Sequence, residues 1–143
     1  MDKKKIKGKR YYVCVDDVET QIFPWGRLAW LSEPRVTGTD NMTSGVVTLE
    51  LGKGHNRHNH PGCEEILFVI EGEGDQTVEV GGKIEKQKIK KGDLVYIPSD
   101  AFHSTINTGT IPMVIFAIYQ FSGPEKFLRN LPECKIEPAK NKS

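Results

Sequence analysis

Three observations predict an all-β chain folded as a β-sandwich or barrel in one domain. Short segments rich in aromatic and β-branched residues recur along the 143 residues, Gly, Pro and Asp punctuate them, and a single segment reads as helix. The length suits one compact core, and no internal repeat or low-complexity linker divides it.

The elements follow in order. The basic run "KKKIKGKR" from Lys3 to Arg10 sits at the extreme end, so residues 1–9 are read as a solvated tail and the domain is expected over 10–131. Strands are expected at 10–15 ("RYYVCV"), 27–31 ("RLAWL") and 42–51 ("MTSGVVTLEL"), then at 65–70 ("EILFVI") and 76–80 ("QTVEV"). Between Val80 and Lys83 stands Gly81-Gly82, a two-residue hairpin signal, because both central positions of the favoured turn need positive φ. The following segment, 83–89 ("KIEKQKI"), alternates imperfectly and suits an edge strand; strands at 94–97, 102–107 and 113–121 complete the set. The segment 124–131 ("PEKFLRNL") predicts a short helix with Pro in its first turn and Phe127, Leu128 and Leu131 on one side. Residues 132–143 read as a loose tail.

Composition narrows the function classes. With 20 Lys and Arg against 19 Asp and Glu, the net charge of +1 argues against a nucleic-acid partner. No apolar run is long enough to cross a bilayer and none follows the charged start, so a soluble, cytoplasmic protein is expected, without a membrane partner. Cys14, Cys63 and Cys134 cannot all pair within the chain and lack CxxC spacing, which fits a reducing compartment.

The chemistry is concentrated in "GHNRHNHPGCEE" (54–65), which holds three of the four histidines. His58 and His60 are two residues apart, so extended backbone sends both imidazoles to one face. Glu65 opens the apolar run "ILFVI", where an unpaired carboxylate would be costly. Glu64, its neighbour, takes the opposite face. Downstream, in "GDLVYIPSDAFHSTIN", a turn through Ser99 and Asp100 can return His103 to the same barrel mouth. Three imidazoles and a carboxylate suit a first-row divalent ion such as iron, manganese, nickel, copper or zinc, with about two coordination positions left for water or a ligand.

These residues resemble the cupin family. Its first motif is matched by Gly52, His58, His60, Glu65 and Gly72, and its second by Gly92, Pro98, His103 and Asn107; Asp100 stands where the motif has glycine. Asp tolerates a left-handed turn better than most residues. The resemblance implies a double-stranded β-helix, the jelly-roll cupin barrel, with one divalent transition metal on His58, His60, Glu65 and His103. It also implies homodimers paired through their sheets.

The remaining candidates stay open at this stage. His55 is a base near the ion, a spare ligand or an exposed loop residue. Proton-transfer candidates are His55, Tyr96, Glu73 and Tyr119. Cys63 is a soft ligand or a bystander. Trp25 and Trp30 line a pocket or fill a core, and Arg27, Arg35 and Arg57 are candidates to receive an anion, Arg57 with the wrong parity to face the ion. The expected function is a mononuclear metal enzyme acting on a small oxygen-rich metabolite, a carboxylate, sugar or sugar acid, by isomerase, decarboxylase, lyase or dioxygenase chemistry. The alternative is a metal-dependent sugar or carboxylate binding or sensor module without turnover.

Overall fold

A computed structural model describes residues 8–141. Its strands are β1 (Thr20–Phe23), β2 (Gly26–Ser32), β3 (Met42–Leu49), β4 (Gly54–His58), β5 (Glu65–Glu71), β6 (Glu73–Val80), β7 (Lys83–Lys90), β8 (Leu94–Ile97), β9 (His103–Asn107), β10 (Met113–Gln120) and β11 (Lys135–Glu137); the helix is α1 (Pro124–Arg129). They form two antiparallel sheets, one of seven strands in the order β11-β1-β2-β3-β10-β5-β8 and one of four in the order β4-β9-β6-β7.

The two sheets bring unlike inner faces to the shared interior. The larger supplies the apolar wall: Leu28 and Trp30 from β2, Val47 and Leu49 from β3, Leu67 and Val69 from β5, Met113, Ile115 and Ala117 from β10. Period-two alternation along β10, buried at every odd position from Met113 to Tyr119, puts these residues inward. The smaller sheet turns buried polar groups inward, Gln76 from β6 and His103, Thr105 and Asn107 from β9. Three of them are satisfied within the barrel, since Thr105 Oγ1 donates to Gln76 Oε1 and Asn107 Nδ2 donates to the carbonyls of Leu49 and Ile111. A polar wall facing an apolar one prepares a site for an ionic group at the barrel's open end.

The Gly81-Gly82 turn joins β6 to β7 with both φ values positive, 59° and 77°. β7 is an edge strand of the smaller sheet, its side chains exposed apart from Ile89. Other expectations need correction. Residues 10–15 are no strand: Tyr11 and Tyr12 are 91% and 90% exposed, and Val15–Asp17 closes a 3-10 turn instead. Aromatic residues there carry β propensity but have no neighbouring strand to pack against. The first strand is β1, and Gln21 within it is fully buried because its amide receives Trp30 Nε1 and donates to the carbonyl of Glu125. The segment 132–143, read as a tail, contributes β11, which pairs with β1 despite its charged ends. The basic run lies mostly outside the described residues. Along α1 the buried residue is Glu125, which accepts from the backbone N–H of Gly123, while Phe127 is 68% exposed.

Candidate metal centre

Each candidate ligand is placed by a different piece of backbone. β4 pairs with β9, with His58 directly opposite His103, and their rings lie 4.2 Å apart between centroids. A register shift between His55 and His58 bends β4 at this point. His60 lies two residues beyond the end of β4, so its position comes from the following loop rather than from strand alternation. Asp100 holds that loop: its Oδ1 accepts from Gly62 N at 2.9 Å and its carbonyl from Asn59 Nδ2 at 3.2 Å. Asp100 has φ 69°, the left-handed conformation expected at the motif's glycine position, and its side chain adds contacts glycine would lack. Glu65 enters from the opposite sheet at the start of β5, paired in register with Tyr119 of β10.

The polar atoms of these residues converge. Ligand atoms of His58, His60 and His103 all lie within 4.8 Å of one another, a group able to hold a metal ion. Glu65 Oε1 lies 3.0 Å from His103 Nε2 and 3.7 Å from His60 Nε2, yet all three atoms are buried without a hydrogen-bond partner. Unpaired buried polar atoms are costly, and three meeting at one point fit a shared cation. The tautomers agree: His103 Nδ1 lies 2.9 Å from the carbonyl of Ala101 and His58 Nδ1 lies 2.6 Å from that of Asn56. Each Nδ1–H donating to a carbonyl leaves Nε2 as a free lone pair.

Electrostatics describe the same cluster. Burial lowers the pKa of His58 and His60, favouring neutral imidazoles. Burial acts likewise on His103, but the adjacent Glu65 carboxylate more than offsets it and raises the pKa. Glu65 is held below its ordinary range, its burial outweighed by His103, His60 and a hydrogen bond from Tyr119. Burial and the Glu65 charge push Tyr119 well above the usual phenol value, so its hydroxyl stays protonated.

Above the cluster opens a cavity of about 670 Å³ whose floor includes His58 and His60 and whose walls include Trp25, Phe121, Phe127 and Leu128. Trp25 is stacked on Phe23 and meets the His55 ring edge-on at 4.3 Å. Trp30 instead fills the core. His55 lines the cavity with its pKa lowered to about 4, chiefly by burial and then by His58, so it is neutral at pH 7.

Several candidates lie elsewhere. Tyr96 sits on the outer face of β8, and its hydroxyl donates to Glu64 at 2.5 Å, which removes it from the proton-transfer set and shows Glu64 facing outward. Glu73 reaches Lys88 on the sheet edge. Arg57 makes a two-pronged bond to Glu79 and lies over the Phe102 ring, directed away from the cluster as its parity predicts. Arg35 is engaged by Glu33 and Glu19, and Arg27 lines a separate crevice beside Glu137. The Cys63 thiol donates to the carbonyl of Gln120, and burial raises its pKa, so it stays a neutral wall residue. Sequence reasoning passed over the second wall of the cavity, formed by residues 121–128, because nothing in that stretch has ligand spacing.

A family profile described as "Cupin domain" matches residues 45–119, more than half of the chain. The chain belongs to the cupin family. This cupin is 40% identical over 58 residues to an uncharacterized protein of Methanocaldococcus jannaschii, a match covering 41% of this chain and 43% of that one. It is 33% identical over 72 residues to germin-like protein subfamily 2 member 1 of Arabidopsis thaliana, covering 47% and 31%. Among solved structures, Bacillus subtilis oxalate decarboxylase, in a study of its Mn(II) centers, aligns with a TM-score of 0.62 at 25% identity, covering 76% of this chain and 30% of that one. The cupin thus spans less than half the length of each of these relatives. No helix among the described residues is long and apolar enough to cross a membrane.

Proposed function

We propose that this cupin is a mononuclear metal enzyme that holds one divalent transition ion on His58, His60, Glu65 and His103 and takes up a small molecule from the cavity through oxygen donors. The observation that carries the reading is the convergence of His60 Nε2, His103 Nε2 and Glu65 Oε1, buried together and unpartnered. A bound ion would supply Lewis acidity and about two open coordination positions. The donor set suits iron, manganese, nickel, zinc or copper, and manganese, the metal of the Mn(II) centers in Bacillus subtilis oxalate decarboxylase, is the first to try.

The chain's own residues then have distinct parts. The carbonyls of Asn56 and Ala101 fix the His58 and His103 rings, and Tyr119 lies beside Glu65 as its partner in register. His55, neutral in the cavity wall, is the group placed to accept a proton from a bound molecule. One observation favours a second reading, a binding or sensor module without turnover: apart from the ligands, the wall offers, among the described residues, only His55, Tyr119 and Cys63 for moving a proton. The metal-loaded protein tests this by product analysis; saturable binding with no product across a chemically broad panel supports the module.

Assembly as a homodimer through the larger sheet belongs to the same proposal. Val46, Phe116, Phe68 and Leu94 are partners in register across β3, β10, β5 and β8 on its outer face, with Phe68 42% and Leu94 59% exposed. Such an apolar row is self-complementary under a two-fold axis.

A further inference from the structure

The cavity above the histidines differs from a site for a multiply charged or many-hydroxyl substrate. Among the described residues, none of its lining side chains is Lys, Arg, Asp or Glu. Of the arginines expected to receive an anion, Arg35 and Arg57 are committed to carboxylates and Arg27 lines a separate crevice; Arg129 is bound to Glu33 and Glu19. A second carboxylate or a phosphate in the cavity would meet no counter-charge on the walls to offset its desolvation.

The polar wall side chains are largely committed as well. Asn59 donates to the carbonyl of Asp100, Gln120 accepts from Glu64 N, and Ser122 donates to Asp40. A sugar presents a hydroxyl on nearly every carbon, and each needs a partner once buried. Apart from the His55 imidazole, the Asn56 side chain and Gln120 Nε2, what remains open is hydrocarbon: Trp25, Phe121 at 49% exposure and Phe127 at 68%. α1, which carries Phe127, is anchored by Arg129 to the buried carboxylate of Glu33 at 2.6 Å, so this aromatic wall is held in place. The volume accommodates a body of one or two rings.

We infer that the ligand has an uncharged apolar body, aromatic or branched aliphatic, lying against Trp25, Phe121 and Phe127, and a single oxygen-donor head directed at His58 and His60. The inference rests on the proposed metal site for the head, while the body is recognised by the walls alone. It narrows the expected carboxylates and sugars to molecules with one polar end.

Two hydroxamates with the same head and different bodies test it. Calorimetry on the manganese-loaded protein should show benzohydroxamate binding at least about tenfold more tightly than acetohydroxamate, because the common head cancels and the ring adds buried apolar area. The Phe127→Asp variant should lose most of that gain with metal content unchanged, and Phe127→Leu should keep it. Oxalate and glucose 6-phosphate should bind no better than acetohydroxamate. Equal affinity for the two hydroxamates, or tighter binding of oxalate or the sugar phosphate than of benzohydroxamate, overturns the inference. A metal-free arm separates the two readings: 2-naphthol, which cannot chelate, should quench tryptophan fluorescence saturably in the wild type and not in Phe127→Asp. Failure to load manganese leaves that result standing; loading without saturable naphthol binding overturns the cavity inference alone.

Discussion

His103 Nε2 and Glu65 Oε1 face each other across the two sheets at 3.0 Å, and neither has a hydrogen-bond partner. The arrangement fits two ligand atoms around a shared cation as well as a buried ion pair, and removing the charge separates the two. Glu65→Gln keeps the shape and removes the charge. Metal affinity should fall by about 100-fold or more, beyond the roughly 10–100-fold that loss of a supporting partner costs. A metal titration with an indicator dye measures it, and unchanged affinity would remove Glu65 from the ligand set.

Asp100 gives a second prediction, because its backbone has φ 69° and its carboxylate holds Gly62 N. Asp100→Ala should destabilise the protein by about 2 kcal/mol, combining left-handed strain with a lost hydrogen bond. Asp100→Gly relieves the strain and should cost less than about 1 kcal/mol. Both should release metal faster, since the loop carrying His60 loosens. Urea denaturation and chelator-driven release read the two effects separately, and equal stability of the variants would refute the strain argument.

Far from the centre, Asp17 links the two ends of the chain. Asn141 donates to its carboxylate, Cys14 N donates to the other oxygen, and Arg10 lies 3.1 Å away. With Asn141 the largest cause, the pKa falls to about 2 from an ordinary value of 3.8. The folded value is depressed, so the stabilisation is fully present above pH 3.8 and is lost as pH falls toward 2. At neutral pH, Asp17→Asn should cost about 1 kcal/mol, allowing for solvent screening. The gap between the two proteins should close below pH 3.8, and a gap that persists at pH 2 would contradict the assignment.

The outer face of the larger sheet predicts assembly. Phe68→Glu places a charge in the middle of the apolar row, and sedimentation should show the wild-type dimer replaced by monomer with the β circular dichroism retained. A wild-type monomer at micromolar concentration would reject the interface.

The legible parts of the sequence were those where local pattern and tertiary packing agree. β3, β5 and β10 are long β-branched or aromatic runs that alternate or pack against both neighbours, and the Gly81-Gly82 turn has the φ values its residues allow. The four converging side chains were legible because chemical type and spacing both point to them. β4 was hidden because "GHNRH" has no apolar residue and becomes a strand only by pairing with β9. β11 was hidden for the same reason, its charged ends supported by β1. The false strand at 10–15 has propensity without a partner. The cavity wall was illegible because Trp25 and Phe127 are about a hundred residues apart and line one cavity only in the finished barrel.

Metal content is the most direct test of the central claim. Protein prepared with manganese or iron supplied and then dialysed should contain about one ion per chain by elemental analysis, and the His58→Ala, His60→Ala double variant, folded by circular dichroism, should contain almost none. Full occupancy in that folded variant, or a metal-free wild type after exposure to each candidate ion, would contradict the account.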